Sequence, residues 1–146
     1  MVVRPISDRE RDRWHCMRTA LLPDTTNEDH QREMAHVLSD SENTQCFVAL
    51  VDDKPVGFLE VGIREWAEGC ATQNVGYLEA IYVDEFFRRS GAAKALIRAA
   101  EQWSRDHGAQ EVASDADIDN EEGLALHHQL QYEEVGRAVL FKKKLV

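Results

Sequence analysis

The chain has 146 residues, with 17 Lys and Arg against 27 Asp and Glu, and a formal charge of −10 at pH 7. That length suits one ordinary domain with a buried core, expected to span residues 1–146, and the acidic balance disfavours nucleic acid and favours a cationic partner. No run approaches the roughly 18 to 20 apolar residues of a membrane span, so no membrane partner is expected, and a start without the apolar centre of a signal peptide gives a cytoplasmic expectation.

Val2 to Ile6 reads as a first strand, and Ser7 with Glu10 forms a capping box that opens a helix running to about Leu21. Pro23 and Asp24 stop it. Asn27 to Leu38 carries Met34, Val37 and Leu38 at helical spacing, a second and more polar helix. Cys46 to Val51 and Val56 to Ile63 are strands joined by a turn of Asp52, Asp53, Lys54 and Pro55, and a Gly-containing loop with Trp66 and Glu68 follows. In the next strand Leu78, Ala80 and Tyr82 alternate with Glu79, Ile81 and Val83; both faces are apolar enough for a central strand, which Asp84 and Glu85 end. Ala92, Ala95, Leu96, Ala99, Ala100 and Trp103 then recur on one helix face, opposite Lys94, Arg98, Glu101 and Arg105. Glu111 to Asp115 is a short strand. Asp119 or Asn120 caps a helix containing Leu124, Leu126, His127 and Leu130, and the loose alternation from Glu134 to Val146 predicts one or two closing strands.

The most informative stretch runs from Tyr77 to Arg98. A strand that enters a tight turn and then a helix makes several backbone N–H groups converge at the helix start, which is an anion site. Gly91 lets a phosphate approach the backbone, Ala93 keeps the first turn small, and Arg88, Arg89 and Lys94 add positive charge around Ser90 and Ala92.

Arg88-x-x-Gly91-x-Ala93 after Leu-Glu-Ala-Ile-Tyr-Val resembles the acetyl-CoA pyrophosphate loop of the GNAT N-acetyltransferase superfamily, Arg or Gln, two residues, Gly, one residue, Gly or Ala. Its context supports it: a strand before, a helix after, and downstream Glu-Val-Ala-Ser-Asp followed by Asn120. The resemblance implies a mixed α/β GNAT fold, with a central, mostly antiparallel twisted sheet flanked by helices. It implies acetyl-CoA as co-substrate, bound at Arg88, Arg89, Ser90, Gly91, Ala92, Ala93 and Lys94, along the strand edge Ile81, Tyr82 and Val83, and at Asn120. Seven residues after Asn120, where many members carry a leaving-group tyrosine, this chain has His127.

More closely, the chain is similar to the small aminoglycoside 6'-N-acetyltransferases. The runs Gly57-Phe58, Tyr77-Leu78-Glu79, Phe87-Arg88, Ala113-Ser114-Asp115 and Phe141-Lys142-Lys143-Lys144 carry that similarity. The implied function is acetyl transfer to the 6'-amine of an aminoglycoside, a polyamine-like antibiotic, by direct attack in a homodimeric enzyme. Leu22, Thr25 and Trp66 stand where that branch has Trp, His and Tyr, and Gly136 where it has Glu; Leu22, Thr25, Trp66, Glu79 and Asp115 are the candidate acceptor contacts.

An amine with pKa near 10 arrives protonated, so a carboxylate or a water chain must take a proton before attack, and Glu79 and Asp115 are the candidates. Backbone N–H groups near Ile81 to Val83 would meet the oxyanion if the strand is bulged there. His127 reads either as the leaving-group acid or as a helix residue packed on the sheet. Asp115, Asp117 and Asp119 resemble the start of a calcium loop, but Asn120 and Leu126 stand where its Gly and Glu belong, and Cys16, Cys46 and Cys70 match neither zinc nor disulfide spacing. No metal is expected. Two further readings stay open: a GNAT enzyme for another amine, such as a diamine, an amino sugar or a protein N-terminus, and a non-catalytic CoA-binding regulatory module.

Overall fold

The computed structural model describes residues 1–146, which gather into one compact unit from Met1 to Asp115 and a second from Ala116 to Val146. In the first unit five strands pair in chain order: β1 (Val2–Pro5), β2 (Thr44–Val51), β3 (Lys54–Arg64), β4 (Val75–Val83) and β5 (Val112–Ser114). The first three pairings are antiparallel and β4–β5 is parallel, so the sheet is mixed and mostly antiparallel, as expected.

Local chemistry fixes the connections. The Ser7–Glu10 capping box forms, a 3-10 turn at Asp8–Glu10 leads into helix α1 (Arg11–Leu21), and Glu10 also accepts from Arg4 at 2.6 Å. The Thr26 hydroxyl accepts from the Asp29 amide and starts α2 (Asn27–Ser39). The β2–β3 hairpin turns on Asp52 and Asp53 alone, with φ of 50° and 63°, the left-handed pair that a two-residue loop requires, so β3 begins at Lys54.

Even-numbered residues of β2 and β3 face α1 and α2: Cys46, Val48, Leu50 and Phe58 pack with Trp14, Met17 and Met34, with Ala80 and Tyr82 of β4 at the border. Helix α3 (Ala92–Asp106) packs against β2, β3 and β4, burying Ala92, Leu96, Ile97, Ala100 and Trp103. The approach is close at Gly76, where a Cβ would stand 2.7 Å from the Cβ of Ser104. In the second unit Asn120 accepts from the Gly123 amide at 3.0 Å and caps α4 (Glu121–Gln129).

The closing strands expected from Glu134 to Val146 are absent. Residues 133–146 have no regular secondary structure, and Val139, Leu140, Phe141, Leu145 and Val146 are exposed. A strand needs a hydrogen-bonded neighbour, and the sheet has five members without this segment. The alternation recorded an apolar face, not a partner.

Candidate active site

The register of β3 against β4 slips between Glu60 and Val61: Glu60 faces Ala80 while Val61 faces Leu78. Glu79 is therefore the extra residue of a β-bulge in β4, two residues before the stretch Ile81 to Val83 where a bulge was expected, and that stretch itself pairs regularly with β3. The bulge lets Glu79 and Ala80 line one cavity of about 890 Å³, walled by β3, β4 and α2, with Glu33, Asp40, Glu60 and Gly62 among its residues. Gly62 faces Glu79, whose Oε2 would be in ordinary van der Waals contact, at 3.8 Å, with a Cβ placed there.

At the inner end of this cavity Glu60 is 7% exposed and Arg18 3%. The Arg18 Nη1 donates to both Glu60 oxygens at 2.9 Å, the Trp14 indole donates at 3.1 Å, and Arg18 also donates to His30 Nδ1 and pairs with Glu33. Trp14 and Arg18 are four apart on α1 and so share a face, while His30 and Glu33 are three apart on α2. One buried guanidinium thus fastens α1 and α2 to the bulged part of the sheet. Burial pushes the Glu60 carboxyl above its ordinary value, and Arg18 and Trp14 pull against that.

A second charged group lies at the outer end. Arg64, the last residue of β3, grips Glu79 with two hydrogen bonds, Nε to Oε2 at 2.9 Å and Nη2 to Oε1 at 2.5 Å, while its Cζ sits 3.5 Å from the centre of the Tyr77 ring. The Tyr77 hydroxyl donates to Asp115 Oδ2 at 2.5 Å. Burial, and then this bond to Asp115, push the Tyr77 phenol up to about 12, so it remains a donor through the physiological range. Glu79 and Asp115 thereby belong to one network, joined through Arg64 and Tyr77.

On the same strand, β5 pairs only as far as Leu78–Ser114, so beyond the bulge the edge of Glu79 to Val83 has no neighbour on that side. Beyond it the chain makes a 3-10 turn at Glu85–Phe87, Arg88 donates its Nε to the Val83 carbonyl at 3.0 Å, and Arg89 and Gly91 take φ of 61° and 89°. Gly91 is the N-cap of α3 and offers no side-chain cap, so the N–H groups of Ala92, Ala93 and Lys94 have no intrahelical partner. A Cβ at Gly91 would meet nothing within 4 Å. Arg88, Arg89, Ser90 and Lys94 are all exposed around that space. Converging donors, open room and basic side chains fit a pyrophosphate. Arg13 of α1 pairs with Asp84 and fixes the start of the loop.

In the second unit the Nδ1 of His127 lies 2.6 Å from the Gly123 carbonyl and its ring meets Tyr132 edge-on, with centroids 5.5 Å apart. A carbonyl only accepts, so Nδ1 carries the proton and Nε2 of the neutral ring bears the lone pair. Among the expected acceptor contacts, the cavity takes in Leu22 and Glu79 but not Thr25, Trp66 or Asp115. Trp66 is 65% exposed, so it does not cap the core. Cys46 is buried, which raises its thiol well above the ordinary value and leaves no nucleophile there.

Sequence reasoning missed Arg18, Glu33, Glu60, Arg64 and Tyr77. Glu60 carried a signal: it is the single charge in Val56-Gly-Phe-Leu-Glu-Val-Gly-Ile63, and a buried carboxylate in a core strand requires a cation. Arg18, one turn after Trp14 on the apolar face of α1, was that cation.

A bulged β4 with an open edge, followed by a loop of converging donors at a helix start, defines an acetyltransferase of the GNAT type. The chain belongs to the acetyltransferase (GNAT) family, whose model matches residues 13–132. It is 38% identical to the aminoglycoside N(6')-acetyltransferase type 1 of Serratia marcescens over 92% of each chain, and 37% identical to that of Klebsiella aerogenes over 99% of this chain and 97% of the relative. The apo aminoglycoside 6'-N-acetyltransferase AAC(6')-IG of Acinetobacter haemolyticus superposes with a TM-score of 0.89, at 35% identity and 100% coverage of both chains. AAC(6')-Iy in complex with the bisubstrate analogue CoA-S-monomethyl-acetylneamine superposes at 0.92, with 29% identity over 98% of this chain and 97% of the other.

Proposed function

We propose that the chain is an acetyl-CoA-dependent aminoglycoside 6'-N-acetyltransferase that confers resistance, acting in the cytoplasm as a homodimer, with residues 1–146 working as one catalytic domain. The observation that carries this reading is the cavity beside the open edge of β4, whose wall sets four carboxylates, Glu33, Asp40, Glu60 and Glu79, against two guanidinium groups, Arg18 and Arg32. A polycationic acceptor is the small molecule such a wall attracts, and the relatives named for that activity support the choice. No helix is long and apolar enough to cross a membrane. The exposed Val139, Leu140 and Phe141 give a second copy an apolar surface to cover.

Acetyl-CoA supplies the activated acetyl thioester. The amides of Ala92, Ala93 and Lys94, with Arg88, Arg89 and Ser90, hold its pyrophosphate, and Gly91 admits it. The free edge of Ile81, Tyr82 and Val83 bonds the pantetheine arm and presents N–H donors to the negative charge that develops on the thioester oxygen. Glu79 and Asp115 attract the acceptor's ammonium and take its proton through water, after which the neutral amine attacks directly. Leu22, from the cavity wall, and Thr25 and Trp66, by position in the family pattern, bound the acceptor rings. By position in the family pattern, Asn120 serves the pantetheine, and His127 takes on Nε2 the proton that the attacking nitrogen gives up and passes it to the departing thiolate.

The test is thiol release from acetyl-CoA with aminoglycosides that have or lack a 6'-amino group, with spermidine and with short peptides. Selective turnover of the 6'-amino compounds is expected. Turnover confined to spermidine or peptides would remove the acceptor assignment and leave the chemistry, and acetyl-CoA binding without turnover of any amine would remove the enzyme.

A further inference from the structure

Glu79 is the residue that a cationic acceptor should meet first, yet a cation already holds it. Both of its carboxylate oxygens are taken by Arg64, and the guanidinium also covers the Tyr77 ring. A carboxylate beside the negative face of an aromatic ring is the combination that recognises an organic ammonium. Tyr77 in turn spends its hydroxyl on Asp115, the other acidic contact, at 2.5 Å. The recognition elements for an acceptor's ammonium are therefore already arranged around a side chain of the protein.

We propose that Arg64 is a resident counter-ion that an acceptor ammonium must displace from Glu79, so that Arg64 sets the affinity of the enzyme for cationic acceptors. This rests on the acceptor reading above and names a residue that tunes it. Displacement is feasible because the Arg64 side chain is 45% exposed at the end of β3, and a swing into solvent empties no core. A guanidinium is weakly hydrated and planar, which suits it to lie on Tyr77 while it bonds Glu79; an ammonium needs only one of those oxygens and competes for the same position. The pair keeps Glu79 oriented and neutralised in the free enzyme, at the expense of acceptor affinity.

The experiment compares wild type, Arg64→Met and Arg64→Lys with neamine as acceptor. Methionine keeps the apolar stem over Tyr77 and removes the charge. Arg64→Met should lower the KM for neamine about three- to tenfold, the scale of a bidentate, partly exposed ion pair with an aromatic contact. The KM for acetyl-CoA is the control and should not move, and Arg64→Lys, which restores a cation, should return the neamine KM most of the way to wild type. In the wild-type enzyme the Arg64 Nε–H NMR resonance should shift towards that of a solvated guanidinium as neamine saturates the site, a change that a purely structural ion pair would not give. A neamine KM that rises or stays constant in Arg64→Met, or an Arg64 resonance unmoved by saturating neamine, overturns the proposal. If wild type turns over neamine and the variant is no better, Arg64's role falls alone; if neither turns it over or binds it, the acceptor assignment falls as well.

Discussion

Replacing Arg18 by Met tests the claim that one buried guanidinium fastens the acceptor-side helices to the sheet. The substitution preserves most of the side-chain volume and strands Glu60, which is 7% exposed and accepts from Arg18 at 2.9 Å on each oxygen. Breaking a buried pair by removing one partner costs about 3–5 kcal/mol, most of it the uncompensated charge left behind. In a chain of this length that lowers Tm by about 10 °C or more. The double variant Arg18→Met, Glu60→Met removes both charges. What remains unsatisfied is the Trp14 indole N–H, which donated to Glu60 at 3.1 Å, and the His30 nitrogen, at a cost of about 1–3 kcal/mol.

Urea unfolding followed by tryptophan fluorescence measures both variants, because Trp14 is wholly buried. The double variant should be more stable than Arg18→Met, a coupling that additive contacts cannot produce. The pH dependence adds a sign. A carboxyl raised by burial contributes stability that is complete below its unfolded value and is lost as pH rises through its folded value. Without Arg18, only the Trp14 indole still opposes burial at Glu60, so the variant should lose more stability relative to wild type at pH 8 than at pH 5. Equal losses at both pH values, or a double variant no more stable than Arg18→Met, would refute the reasoning.

The other expectations address the loop, the packing of α3 and the first capping box. Gly91→Asn and Gly91→Asp share the strain of a φ near 89°, about 1–2 kcal/mol, but only Asp adds charge among the free amides; equilibrium dialysis should show acetyl-CoA affinity falling far more for Asp than for Asn, and equal losses would remove the anion from this loop. Gly76→Ala forces a methyl against Ser104 and should cost about 1–3 kcal/mol in urea unfolding, and an unchanged midpoint would contradict the close approach of α3 to β4. Glu10 is held down to about 2 by its bond to Arg4 and by Ser7, against an ordinary 4.5. A lowered carboxyl stabilises above its unfolded value and loses that contribution as pH falls, so wild type should lose stability between about pH 5 and pH 2 more steeply than Glu10→Gln, and parallel curves would show that the capping box does not hold the proton off.

Much of the fold was legible because its signals are local. Ser7 with Glu10, and Asn120, act through hydrogen bonds within three residues, and Gly91 through its own backbone angle, so their spacing in the chain is the geometry itself. The pyrophosphate loop belongs to the same class. The acceptor side does not: Arg18 meets Glu60 across 42 positions, and Tyr77 meets Asp115 across 38. Such pairs depend on which faces the sheet brings together, and a slip of one residue at Glu60/Val61 decides that Glu79 turns towards the cavity. A periodic pattern predicts alternation and therefore cannot predict its interruption.

The same distinction explains the two ways in which charge is used. At the inner end of the cavity the pair is buried and its worth is structural, because neither Arg18 nor Glu60 can leave without stranding the other. At the outer end Arg64 and Glu79 make an equally well-formed pair, with side chains 45% and 37% exposed. There solvent can take over either partner at little cost, so the pair is exchangeable and a ligand can compete for it. Burial, more than hydrogen-bond geometry, separates the carboxylate that builds this cavity from the one that is available to an acceptor.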